Sequence, residues 1–204
     1  MASIGFVGLG NMGAPMCIRL IEAGHDVVAF DRRPEAVEAA TAAGATPGTS
    51  AAQCASHAEL FMTSLPRPDH VESVLRDEGA LDALTDGALW VDLTTNRKEL
   101  VLDLAAAAPA GVGVVDSPVT GAVDGARNGR LTLFAGGADA DLDRAVPVLE
   151  HLGLVIRCGE LGAGNVVKLV TNQLWFVAAA AIGEGFASVS YTHLRAHETT
   201  SLIS

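Results

Sequence analysis

Ser3-Ile4-Gly5-Phe6-Val7-Gly8-Leu9-Gly10-Asn11-Met12-Gly13-Ala14-Pro15-Met16 is the stretch on which the fold turns. Its first half is a short apolar run of strand character, and Met12–Ala23 has the length and apolar spacing of a helix. Gly8, Gly10 and Gly13 stand between them. At a strand-to-helix turn each glycine answers a separate steric demand. The first permits the tight turn, the second lets a pyrophosphate approach the backbone, and the third lets helix and strand pack closely. The N–H groups that open the helix have no partners inside it and carry the positive end of its dipole, so the turn suits a phosphate. Glycines in this spacing are a weak signal alone. Here the strand before, the helix after and Asp31 at the end of the next strand complete a dinucleotide pattern. The candidate cofactor residues are therefore Gly8, Leu9, Gly10, Asn11, Met12, Gly13 and Asp31, whose carboxylate can accept hydrogen bonds from an adenosine ribose. Arg32 and Arg33 follow. A guanidinium there can hold a 2′-phosphate, or the pair is a solvated surface feature, so the choice between NAD and NADP stays open.

Working outward, short apolar runs alternate with helix-length segments. Strands are expected at Ser3–Gly8, Asp26–Phe30, Glu59–Ser64, Leu89–Asp92, Val112–Asp116, Thr132–Ala135 and Leu154–Cys158. Helices are expected at Met12–Ala23, Glu35–Ala43, Pro68–Leu75, Lys98–Ala107 and Asp139–Leu152. This alternation predicts an α/β fold of the Rossmann-type doubly wound kind, with a mostly parallel sheet whose apolar strands are buried on both faces. Residues 1–163 form the expected NAD(P)-binding domain. From Gly164 the character changes: Asn165–Ala187 reads as one long helix, apolar on every face over Leu174–Ala181, which needs neighbours all round. Residues 164–187 are read as the first part of an all-α domain. The last stretch, 188–204, has no sustained period and is expected to be a non-native or disordered tail.

Composition bounds the partners. A net charge of −11 over 204 residues argues against a nucleic-acid or anionic-membrane surface, so an anionic ligand must be held by local groups. Cys17, Cys54 and Cys158 form no close pair, which fits a reducing, cytoplasmic compartment. No basic segment followed by a long apolar one opens the chain, so no signal peptide is expected. The most apolar stretch, Leu174–Gly183, is taken as too short to span a bilayer. No metal site is expected: His193, His197 and Glu198 lack further ligands and a stable helix to hold them.

Two further constellations carry possible chemistry. Asp116-Ser117-Pro118-Val119-Thr120-Gly121-Ala122 follows a strand and leads into Gly125–Thr132. Small residues and hydroxyls there can donate to a carboxylate, or the segment is a glycine-rich loop joining two strands. Lys168 and Asn172 are one helical turn apart and share a face. An ammonium and a carboxamide so placed can reach one substrate oxygen, or they form the polar stripe of an amphipathic helix.

Taken in order, these segments resemble the 3-hydroxyisobutyrate dehydrogenase (β-hydroxyacid dehydrogenase) family, related to 6-phosphogluconate dehydrogenase. The Gly5–Met16 run resembles the family's cofactor signature, and Leu65-Pro66 with Val71 and Val74 its cofactor-side loop. Asp116–Gly121 with Gly125–Thr132 resembles its substrate segment, and Gly162-Ala163-Gly164-Asn165-Val166-Val167-Lys168 with Asn172 its catalytic helix. The resemblance implies roles. Lys168 would be the catalytic acid/base and Asn172 would orient the substrate. The Thr120 hydroxyl and Gly121 amide would hold its carboxylate, Leu65 and Pro66 would flank the cofactor, and Thr95 would lie near the nicotinamide. It implies hydride transfer between NAD(P) and a short 3-hydroxy acid or the matching semialdehyde, with a homo-oligomeric full-length form.

The chain departs from the family's usual pattern. Thr120-Gly121-Ala122 stands for Ser-Gly-Gly, which adds methyl groups that narrow the substrate pocket. Thr171 replaces the first of two adjacent asparagines, and Asp92-Leu93-Thr94-Thr95-Asn96 replaces a Ser-Thr pattern. The all-helical domain that the family adds after the long helix does not follow here, so truncation and weak activity are expected. The alternatives are an imine reductase-like enzyme, against which Lys168 counts, and a non-catalytic dinucleotide-binding fragment.

Overall fold

The computed structural model describes residues 1–191, with side chains through Ser188. The tail reading of 188–204 and the histidines at 193 and 197 lie, but for the first few residues, outside the described residues.

The sheet alternates with helices in chain order. Strand β1 (Ser3–Val7) leads to α1 (Gly13–Glu22), β2 (Asp26–Phe30) to α2 (Pro34–Ala42), and β3 (Thr46–Pro47) to α3 (Ala51–Ser56). Then come β4 (Leu60–Thr63), α4 (Pro68–Glu72) continued by a π turn over Ser73–Asp77, β5 (Leu89–Asp92) and α5 (Lys98–Ala107). The second half holds β6 (Gly113–Asp116), β7 (Val119–Thr120), α6 (Ala122–Arg127), β8 (Leu131–Gly137), α7 (Asp139–Leu149), β9 (Gly153–Gly159) and α8 (Ala163–Tyr191). The nine strands run in the order β3-β2-β1-β4-β5-β6-β8-β7, with β9 paired to β8. All pairs are parallel except β6–β8 and β7–β8. The mostly parallel Rossmann-type fold expected from the alternation is the one observed.

The period of two in the strands builds the core. Ile4 and Phe6 of β1, Leu60 and Met62 of β4, and Leu89 and Val91 of β5 join the cluster under α1, α6 and α7. Val7, Phe61 and Trp90, one register off, join the cluster under α3, α4 and α5. Strands covered on both faces have no need of polar positions, which is why they read as continuous apolar runs. The strand order reverses direction at β1 and β4, and ligands of such sheets bind at that switch, beyond the carboxyl ends of the strands.

Four short elements were not legible. β3, α3, β7 and α6 have at most six residues each, too few for a period to emerge. The segment after Asp116, read from the sequence as a carboxylate-binding segment or a glycine-rich loop, contains β7 and α6.

The chain divides into two units, Met1–Lys168 and one beginning at Leu169. The start of α8 belongs to the α/β unit because Asn165 is held inside it by Asp116. In the second unit α8 exposes Leu174, Trp175, Phe176 and Val177, each above 60%. One expectation needs correction: within the 26-residue span Ala163–Ser188 an 18-residue stretch has mean hydropathy 1.4, which by length and composition is enough to cross a membrane. The sequence count stopped at Asn172, Gln173 and Glu184, which an average over a longer window absorbs.

Candidate active site and dinucleotide cavity

The glycine turn is built as its spacing demanded. Gly8 has φ +97°, a left-handed conformation open to glycine, and a Cβ there would stand 2.3 Å from the Ser64 carbonyl oxygen. A Cβ on Gly13 would lie 1.8 Å from the Gly8 carbonyl oxygen, so any side chain would push α1 off β1. Gly10 has nothing within 4 Å of its missing Cβ: it faces open space, where a phosphate can approach the backbone. No side chain caps α1, and no acidic residue occupies its first turn. Within the helix the Ala14 N–H already donates to the Gly10 carbonyl at 3.0 Å and Pro15 has no N–H, so an anion would be met by the N–H groups of the turn that leads into it.

That space is a cavity of about 560 Å3 at the β1/β4 switch. Gly8, Gly10, Asn11, Met12 and Gly13 line it from one side, Asp31, Arg32 and Arg33 from the end of β2, and Leu65 and Pro66 from the loop after β4. Leu9 does not line it. That residue is buried, and its N–H donates to Asp31 Oδ2 at 2.7 Å, joining the glycine turn to the ribose carboxylate. Arg33 donates to the same carboxylate from its backbone N (2.9 Å) and from Nε (3.0 Å), and to the Leu9 carbonyl from a terminal nitrogen (3.0 Å). Partial burial alone would raise the Asp31 pKa, but the bonds from Arg33 and Leu9 outweigh it and hold the carboxyl below its usual range. The open phosphate cradle, the ribose carboxylate and the cavity between them fit a dinucleotide. Ser64, His70 and Glu78 also line the cavity and were missed, because isolated polar residues at the ends of strands and in short helical segments leave no periodic signal.

A second, buried network lies at the ends of β5 and β6. Asp92 Oδ1 accepts from the Thr63 hydroxyl (2.9 Å) and the Thr94 N–H (3.1 Å), and its Oδ2 accepts from Asn96 Nδ2 (3.0 Å). The Asn96 N–H donates to Asn165 Oδ1 at 2.6 Å. Asn165 in turn donates to Asp116 Oδ2 from its backbone N (2.7 Å) and from Nδ2 (3.0 Å), while the Gly162 N–H donates to Asp116 Oδ1 (2.6 Å). The Leu65 N–H donates to Thr94 Oγ1 at 3.0 Å, which ties the network to the cofactor-side loop. Burial raises Asp92 to about 6 and also raises Asp116, against the hydrogen bonds that favour their ionised forms.

This network sets the remaining candidates. Thr95 is half-buried in the loop between Thr94 and Asn96 and does not line the cavity. Lys168 lies one turn beyond Asn165 and is buried, which lowers its pKa. Asn172 falls one turn further along α8, in the second unit. Thr120, Gly121 and Ala122 form the exposed turn from β7 into α6 and do not line the cavity. Gly121 has φ +128° and Ala122 φ +55°, the latter the only positive φ outside glycine among the described residues.

Residues 3–162 match the family model described as the NAD binding domain of 6-phosphogluconate dehydrogenase. The 3-hydroxyisobutyrate dehydrogenase of Pseudomonas aeruginosa is 41% identical over 190 residues, which are 92% of this chain and 64% of that protein. The 3-sulfolactaldehyde reductase of Escherichia coli is 38% identical over 85% of this chain and 59% of its own length. A solved structure of the Mycobacterium tuberculosis 3-hydroxyisobutyrate dehydrogenase with L-serine superposes with a TM-score of 0.94 at 36% identity, covering 100% of this chain and 70% of that one. This chain therefore spans somewhat under two thirds of the first two relatives, and its cofactor is NAD or NADP. A glycine turn lining the cavity, the Asp31 carboxylate at the end of β2 and a buried lysine near the start of α8 accompany these likenesses, and the chain belongs to the 3-hydroxyisobutyrate dehydrogenase family.

Proposed function

We propose that this chain is the cofactor-binding and proton-transferring part of an NAD(P)-dependent dehydrogenase of a short 3-hydroxy acid, or equally a reductase of the matching semialdehyde. Lys168 carries the reading. It is buried, its pKa is lowered by that burial, and its helix is fixed through Asn165 to the loop after β5. A lysine whose pKa moves toward the working pH both gives and takes a proton efficiently. In oxidation, neutral Nζ of Lys168 takes the hydroxyl proton as hydride leaves the carbinol carbon. In reduction, the ammonium returns a proton to the carbonyl oxygen. NAD(P), when bound, accepts or supplies the hydride.

The other roles follow the same reading. Asn172 orients the substrate oxygen, the Thr120 hydroxyl and Gly121 N–H hold its carboxylate, and the Ala122 methyl narrows that pocket. Thr95 sits toward the nicotinamide, while Gly8–Gly13, Asp31 and the Leu65-Pro66 loop hold the rest of the cofactor. Lys168 favours this reaction over imine reduction. We assign residues 1–163 to the dinucleotide-binding domain and 164–187 to the start of a helical one. We place the full-length protein in the cytoplasm as a homo-oligomer, in keeping with three free cysteines and the exposed apolar side chains of α8. A monomer by light scattering would refute the oligomer, and export of a tagged full-length gene product would refute the compartment.

The test is an activity panel of small 3-hydroxy acids with both cofactors on the full-length gene product. Lys168→Ala is expected to lower turnover by about 10²–10⁴-fold while leaving NADH affinity near normal. Oxidation by the native enzyme is expected to rise with pH through a pKa below that of an ordinary lysine. Full activity in the variant would sink the mechanism.

A further inference from the structure

The two arginines after Asp31 left the cofactor choice open, and their placement bears on it. A 2′-phosphate carries close to two negative charges near neutral pH and needs a free guanidinium at the end of β2. Arg33 is folded back onto Asp31 and the Leu9 carbonyl, as described above. Arg32 turns the other way. One of its terminal nitrogens pairs with Glu78 Oε1 and lies 3.5 Å from the Ser73 hydroxyl, both on the π turn and its cap. Asp31, Arg32, Arg33 and Glu78 all line the same cavity. Each guanidinium is matched by one carboxylate, so the ribose end offers no net positive charge. The π turn matters here: its extra residue per turn sets Glu78 one turn above Ser73, whose carbonyl accepts the Glu78 N–H at 2.9 Å.

We propose that Glu78 is a specificity-determining residue which, by holding Arg32 away from the adenosine ribose, makes this chain select NAD over NADP. The inference rests on the dinucleotide reading of the glycine turn. Glu78 acts twice. It occupies the arginine that a 2′-phosphate would need, and its own charge opposes that phosphate. The ribose hydroxyls of NAD carry no charge and meet neither obstacle. They need to displace only the weakest of the Asp31 contacts, the Arg33 terminal nitrogen at 3.3 Å.

The experiment uses the 204-residue chain and equilibrium binding of NADH and NADPH by fluorescence. The native chain is expected to bind NADH at least about tenfold more tightly than NADPH. Glu78→Gln frees Arg32, and the NADPH-to-NADH ratio of dissociation constants is expected to fall at least about fivefold. Glu78→Ala serves the same purpose should the first variant fold poorly by circular dichroism. Adding Arg32→Gln to either variant is expected to reverse most of that fall, because the freed guanidinium is then gone. A ratio unmoved by both Glu78 variants, or a native chain that binds NADPH as tightly as NADH, overturns the proposal while leaving the dinucleotide site standing. Binding of neither dinucleotide by the folded native chain overturns the site itself and the proposal with it.

Discussion

Asp116 and Asn165 lie 49 residues apart in sequence, yet Asp116 Oδ2 accepts two hydrogen bonds from Asn165, one from its backbone N–H at 2.7 Å and one from its side chain at 3.0 Å. The other oxygen accepts from the Gly162 N–H, so a carboxylate at the end of β6 does for α8 what a local capping residue does for an ordinary helix. The helix that carries Lys168 is thereby anchored to the sheet that carries the cofactor cavity.

Asp116→Ala strands those donors in a buried site. Each unsatisfied buried group costs about 1–3 kcal/mol, so the variant is expected to lose roughly 3 kcal/mol of stability in urea unfolding. A loss under about 1 kcal/mol would show that the cap is dispensable.

Gly10 and Gly13 are expected to separate binding from folding. Gly10→Ala meets no protein atom within 4 Å, whereas Gly13→Ala meets the Gly8 carbonyl oxygen at 1.8 Å. Gly10→Ala is therefore expected to melt within a few degrees of the native chain while its NADH affinity falls at least about tenfold, roughly 1.4 kcal/mol. Gly13→Ala is expected to lose several kcal/mol of stability, as overpacking against backbone does. Calorimetry and NADH titration on both variants check the contrast, and equal melting losses would contradict it.

Asp92 gives the fold a pH dependence of definite sign. Burial raises its pKa from 3.8 to about 6. Between those values the folded protein holds a proton that the unfolded chain has released, so this group's contribution declines as the pH rises from about 4 to about 6. A shift of that size corresponds to roughly 3 kcal/mol. Urea unfolding of the native protein and Asp92→Asn from pH 4 to 7 is expected to show the native chain losing about that much relative to the variant. A difference independent of pH would rule out Asp92 as the group.

Ala122 sits at φ +55°, where a Cβ is costly. Ala122→Gly is expected to raise stability by about 0.5–1 kcal/mol, read as a Tm increase of a few degrees. A lower Tm would mean that the methyl packs usefully enough to offset the backbone cost.

Much of this molecule was legible because its signals are local. Gly8, Gly10 and Gly13 are readable from their spacing between one strand and one helix, and the strands at Ser3–Val7, Leu60–Thr63 and Leu89–Asp92 from their apolar runs. Asp31 was readable from its place at the end of β2. What stayed hidden depends on residues distant in sequence. The bonds of Asp92 to Thr63, of Asn96 to Asn165 and of Asp116 to Gly162 join segments 29, 69 and 46 residues apart. A carboxylate directly following a buried apolar strand, as at Asp92 and Asp116, was the one cue available for them.

By itself, then, the sequence determined the order of the longer strands and helices, the glycine turn at the head of α1 and the class of cofactor, since these follow from sterics and burial over a few neighbouring residues. Only the tertiary structure decided where the polar groups of separate strand ends meet. It placed Asn165 and Lys168 in the α/β unit, reversed β8 against β6, and turned Arg32 toward Glu78 and Arg33 toward Asp31. The physical reason is that hydrogen bonds and ion pairs act over a few ångströms in space, and which groups come that close is set by how the whole sheet packs.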